Sequence, residues 1–161
     1  PELTLKYLPE YEELHATIRG WLGLDPLREQ RRVDATTALT TEVDRLRAII
    51  EETEDEEYLA DLDWAVSGLD AQLNPVTVDA ERLRTYAGRY GERLLRFENG
   101  ELLYSRGDGP ARVCVPMSET LFSFEDLDYF RLEVVLDESG EPLKLVGRYR
   151  GGRTDESPRT E

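Results

Sequence analysis

The spacing of apolar residues changes period about halfway along the chain. In the first half they recur every three or four residues, the mark of one helix face; in the second they alternate with polar residues, the mark of strands with one wet side. Tyr11, Leu14, Ile18, Trp21 and Leu22 form the stripe of a first helix over roughly Pro9 to Leu22, which Gly23 is placed to end. A second helix is expected to start with Asp25 as N-cap and Pro26 at its first position, with a thin apolar face of Leu27 and Val33. Thr41 with Asp44 looks like a capping box opening a third helix that buries Val43, Leu46, Ile49 and Ile50. Thr53 with Glu56 repeats that signature for a fourth, which sets Tyr58, Leu62, Ala65, Val66, Leu69 and Leu73 on one side before Pro75 stops it. Asp79 caps a short helix from Ala80 to Tyr86, and Gly88 and Gly91 punctuate the entry to the strands.

Six strands are predicted: Glu92–Glu98, Glu101–Arg106, Ala111–Val115, Thr120–Glu125, Tyr129–Asp137 and Pro142–Arg150. Asn99-Gly100 joins the first two as a two-residue hairpin, since both residues tolerate positive φ. Gly107–Pro110 and Glu138–Glu141 are further turns, and Gly151–Glu161 reads as a frayed polar tail. Every second strand residue collects one apolar face: Leu95, Phe97, Leu102, Tyr104, Val113, Val115, Phe122, Phe124, Phe130, Leu132, Val134, Leu136, Leu143, Leu145 and Tyr149. The other face collects Arg96, Glu98, Ser105, Arg112, Ser123, Arg131, Glu133, Lys144, Arg148 and Arg150. An apolar face this large must be covered, by curling of the sheet or by docked helices. The expected fold class is therefore α+β: N-terminal helices, then an antiparallel β-meander of about six strands forming a curled sheet or partial barrel. Residues 1–75 are the helical region and 76–161 the β region, and the two can share one core.

Charge changes the picture of possible partners. Of 161 residues, 35 are acidic and 20 basic, a net of −15, and only Lys6 and Lys144 are lysine. The first 80 residues hold 7 basic and 19 acidic side chains, the rest 13 and 16. Such a surface repels nucleic-acid phosphates and anionic lipid, so neither nucleic acid nor membrane is an expected partner. An acid-rich, lysine-poor surface also suits a halophilic protein, because high salt shortens the range of its self-repulsion. The plainer reading is an acidic protein of ordinary habitat. No stretch has the roughly 20 apolar residues needed to span a bilayer. The chain begins at Pro1 without a methionine or a signal-like segment, as a piece of a longer polypeptide would.

Candidate chemistry is sparse. His15 is the only histidine and lies beside an apolar helix stripe; Cys114 is the only cysteine and alternates with Val113 and Val115. Neither has the base or orienting partner that a nucleophilic triad needs. Acidic pairs arise everywhere from composition alone, and the loop Asp126–Tyr129, where acids meet aromatics, is explained as a turn. The run from Glu51 to Glu57 fits a solvated helix start better than a cation site, and no EF-hand or phosphate-loop spacing occurs. Arg106-Gly107-Asp108 spells a cell-adhesion tripeptide that three ordinary turn residues produce by chance. No catalytic, cofactor-binding or metal-ligating residue is therefore assigned, and no cofactor is expected. Arg96, Arg112, Arg131, Arg148 and Arg150 form a possible basic interaction patch if neighbouring strands bring them together; cross-strand pairing with Glu98 and Glu133 is the plainer alternative.

The C-terminal half resembles a known module. A short helix into YAGRYG, a hairpin at ENGEL, the stretch VPMSETLFSFEDLDYFRLEVVLDESGEP and the closing LVGRYRGGRTDESPRT are similar to the lipocalin-like C-terminal domain of tail-specific, retinoid-binding-protein-like bacterial serine peptidases. The resemblance covers about Leu59 to Thr160. It implies a secreted or periplasmic parent whose serine and lysine machinery lies in another domain, so no catalytic residue carries over. The function it implies is a noncatalytic accessory domain that packs against or positions a peptidase domain. A free-standing, ligand-binding lipocalin-like module is the alternative, and an independent hydrolase using His15 or a carboxylate pair a third.

Overall fold

The computed structural model describes residues 26–160, and the expectations for the helix Pro9–Leu22, for Gly23, for Asp25 as N-cap and for His15 lie outside them. The chain divides into two compact units, Pro1–Ala38 and Leu39–Glu161. Of the first, only the opening half of a helix is described. There Arg32 grips Glu29 through two bonds of 2.6 and 3.1 Å, and Val33 is exposed.

That helix, α1 (Pro26–Thr53), is continuous, where two helices were expected. No glycine or proline lies between Leu27 and Thr53 to break it. Thr36 and Thr37 donate to the carbonyls of Arg32 and Val33 one turn back, which lets threonines sit inside a helix rather than cap one. Thr41 and Asp44 are likewise interior. The helix ends where Glu54 turns left-handed, at φ 53°, and donates its N–H to Ile50 O at 2.9 Å. Thr53 belongs to the last turn and bonds Ile49 O, so the expected cap falls to Asp55, which accepts from Glu57 N at 2.9 Å and opens a 3-10 turn, Glu56–Tyr58. Half of the acidic run thus closes one helix and half opens the next. In the second unit, Val43 and Leu46 of α1 pack with Ala65, Tyr58, Leu62 and Leu69, most of them on α2 (Leu59–Leu73).

Helix α3 (Ala80–Tyr86) begins at Asp79, whose carboxylate accepts from Glu81 N as expected. The strands that follow form two antiparallel meanders. Sheet 1 holds β1 (Gly88–Tyr90), β2 (Arg93–Glu98), β3 (Glu101–Arg106) and β4 (Arg112–Val113). Sheet 2 holds β5 (Val115–Pro116), β6 (Leu121–Phe124), β7 (Leu127–Leu136), β8 (Pro142–Tyr149) and β9 (Thr154–Pro158). The fold is α+β, and its sheets do not close into a barrel. Among the described residues nine strands in two sheets replace about six in one: β1 and β9 are additional, and Cys114 splits the predicted strand Ala111–Val115 between the sheets, leaving the ladder while its N–H bonds Leu102 O at 2.8 Å. Asn99 and Gly100, at φ 52° and 81°, make the expected hairpin turn.

The core lies where the apolar strand faces meet. Leu95, Leu102, Tyr104, Phe122, Phe124, Phe130, Leu132 and Leu145 are buried with Leu83, Tyr86 and Tyr90. The rings of Tyr104, Phe124, Phe130 and Tyr149 follow one another at centroid distances of 5.1 to 5.8 Å within this core. Two members of the predicted apolar face are exposed. Val113 lies on the two-residue edge strand β4, and Leu143 is turned out by a bulge that pairs Leu136 with Pro142 instead. The segment expected to be a frayed tail contains strand β9, and beyond it Arg159 N bonds Leu143 O and Thr160 N bonds Arg89 O.

Candidate functional site

Strand alternation puts Arg93 on the same face as Leu95 and Phe97, facing inward, and its side chain is 1% exposed. A buried guanidinium must find acceptors or it costs several kcal/mol. Here Arg93 Nη2 donates to Asp155 Oδ1 at 2.6 Å, Nη1 to Ser157 Oγ at 3.1 Å and Nε to the Tyr104 hydroxyl at 3.4 Å. Tyr149 also donates to Asp155, and Arg106 lies 3.6 Å from it. Burial pulls the Arg93 pKa down, but the bonds it donates to Asp155 and Tyr104 outweigh that, and the pKa ends raised. Burial raises and Arg93 lowers the Asp155 carboxyl, which ends below the usual carboxylate range. The pair joins β2 of sheet 1 to β9 of sheet 2, and Gly147 leaves the space in which it forms. Sequence reading missed Arg93, although a charged residue on an otherwise apolar face is itself the signal that a partner must exist.

The five arginines singled out from sequence divide between the sheets. Arg96 faces Glu98 at 3.2 Å and Arg112 faces Asp126 at 2.7 Å on sheet 1. On sheet 2, Arg148 bonds Glu133, and Arg150, in the turn just after β8, reaches both Glu42 of α1 at 3.0 Å and Asp61 of α2 at 3.2 Å. Arg131 is placed differently from the wet-face position its alternation predicts. It is 8% exposed beneath α2, its guanidinium 3.8 Å from the Trp64 ring, donating to Ser67 Oγ and to Trp64 O. Burial lowers its pKa to about 10, with Asp63 opposing the shift. Gly68 permits this approach, since a Cβ there would stand 3.1 Å from the guanidinium. Trp64 in turn donates to Asp128 O at 2.9 Å, so α2 is fixed to sheet 2 through one ring.

With one side of α2 against α1 and another against Arg131, a third side is left open. Leu59, Leu62, Val66, Leu69 and Leu73 follow the alternating three- and four-residue steps of a helix seam. Leu62 and Leu69 pack toward α1, whereas Leu59, Val66 and Leu73 are 46%, 37% and 62% exposed. The expected single buried side of α2 is thus two rows, one used internally and one facing out. Cys114 is buried, which pushes its thiol far above the usual range, and the tripeptide Arg106-Gly107-Asp108 is the end of β3 and its turn.

No family model and no curated protein matches this chain. Among the described residues no cluster of three or more His, Cys, Asp or Glu side chains is arranged to hold a metal ion, and no helix is long and apolar enough to cross a membrane. No buried side-chain nitrogen or oxygen among them lacks a hydrogen-bond partner. The polar groups that are organised, around Arg93 and Arg131, hold elements together; among the exposed large apolar side chains, Leu59, Val66 and Leu73 are the three that fall in line on one helix.

Proposed function

We propose that this chain is a noncatalytic accessory domain, packing against and positioning a catalytic domain of the serine-peptidase kind. The observation that carries this reading is the row Leu59, Val66 and Leu73, three large apolar side chains in line on a helix otherwise fixed on two sides. An apolar row rimmed by polar groups is the usual form of a protein–protein contact. The kind of partner comes from the resemblance of residues 59–160 to peptidase C-terminal modules.

The test begins with an antibody against this chain, used on lysate and medium of the source organism. A native polypeptide several times larger than 18.5 kDa that contains a peptidase domain supports the reading. Serine substitutions at Leu59, Val66 and Leu73 in that polypeptide should then loosen the domain contact, read as faster proteolysis between domains, with little change in this domain's own melting. A polypeptide near 18.5 kDa without a co-purifying peptidase overturns it.

A further inference from the structure

This inference rests on the docking reading above and specifies the partner. One helical step beside the exposed row, on the side away from α1, Asp63 and Asp70 of α2 form a second row of carboxylates seven residues apart, and Glu56, seven residues before Asp63 in the chain, stands in the 3-10 turn that leads into the helix. In seam notation Leu59, Val66 and Leu73 take one core position, Leu62 and Leu69 the other, and Glu56, Asp63 and Asp70 a flanking position that selects partners by charge. Glu56, Asp63 and Asp70 are exposed. Asp63 also opposes the charge of buried Arg131, whereas the Asp70 carboxylate accepts from Asn74, the residue that caps the C-terminal end of α2.

We propose that the occupant of this face is an amphipathic helix of about four turns, with an apolar seam and lysine or arginine at its flanking positions. Its length follows from the row, which spans fifteen residues of α2 and its ends, about 22 Å. Its charge follows from complementarity: each carboxylate of α2 lies where a flanking base of a neighbouring helix would stand. A second copy of this chain is a poor occupant, because the copies carry −15 each and the carboxylate rows would meet one another.

The probes are two synthetic helices with the same leucine seam, one carrying lysine and one glutamate at the flanking positions, titrated against the full chain by fluorescence anisotropy. The lysine helix should bind at least about tenfold more tightly, a preference that shrinks in molar salt. The E56Q/D63N/D70N variant should lose the preference, while E92Q/D108N/E138Q, which removes the same charge elsewhere, should keep it. Because D63N uncovers Arg131, the pair E56Q/D70N serves as a second variant and should lose most of the preference with unchanged melting. Equal binding of both helices, abolished by L59S/V66S/L73S, overturns the charge assignment and leaves the docking face standing. Binding that ignores L59S/V66S/L73S, or no binding of either helix, overturns the docking face as well. Self-association of the chain that L59S/V66S/L73S abolishes identifies a second copy as occupant and also overturns the proposal.

Discussion

Gly147 stands where two charged side chains meet. A methyl group built there would overlap Asp155 Oδ1, lie 2.5 Å from Arg93 Nη2 and 3.0 Å from Phe130 Cε2. All three are held from their other ends, so none can give way cheaply. Gly147→Ala should cost about 2 to 3 kcal/mol, read from the midpoint of denaturant unfolding, and an unchanged midpoint would show the charge pair to be loosely held. Glu54 poses the opposite case: a side chain at φ 53° costs roughly 1 kcal/mol relative to glycine. Glu54→Gly should therefore raise stability by about that amount. Residues of this kind were only half legible in sequence. Gly147 is visible as a glycine in a strand, but its reason is an aspartate that the alternation of apolar residues does not mark.

At the scale of elements, β9 and α2 are each held by an arginine. Asp155 titrates below the usual carboxylate range in the folded state, so its contribution is complete above that range and is lost as pH falls through the lowered value. Glu42 follows the same sign. Its bonds from Arg45 and Arg150 hold it at about 2 against an ordinary 4.5, so this tie between α1 and the turn after β8 is lost between those values. Stability measured against pH should fall across that acid window, and Asp155→Asn should flatten part of the fall while lowering stability at neutral pH. For α2, Arg131→Lys removes the flat stack on Trp64 and one of two bonds, an expected loss of about 1 to 2 kcal/mol with a shift in Trp64 emission. An unaltered emission spectrum would mean the ring does not depend on the guanidinium. These elements explain where sequence reading succeeded. Asn99-Gly100, Asp79 and most of the inner apolar face were legible because each signal is local. Strand β9 was not, since its half-buried residues are Asp155 and Ser157, which face an arginine rather than a core. The merging of two expected helices into α1 was missed because threonine signals a cap only when the backbone is free to leave the helix.

For the whole molecule, the surface charge of −15 is the largest unbalanced quantity. If the acidity is a halophilic adaptation, melting temperature should rise by about 5 °C or more between low and molar salt; a flat response would remove that explanation. The candidate site was legible in part. Leu62, Val66, Leu69 and Leu73 of the α2 seam were identified from sequence and Leu59 was not; which row would be covered depends on where α1 and Arg131 lie, and that is visible only in the assembled fold. The arginine stripe shows the converse: alternation placed the residues on a common side, and the assembled fold gives Arg96 and Arg112 to one sheet, Arg131 and Arg148 to the other, and Arg150 to the turn after β8. The bond from Arg93 to Asp155 spans 62 residues. On a ribosome, the strand carrying Arg93 is therefore made well before its counter-ion, and the guanidinium cannot be interred without severe penalty until β9 has emerged. Until synthesis reaches Asp155, final closure of the two sheets over Arg93 should therefore be disfavoured, a delay during which an unfinished chain is available to chaperones and proteases.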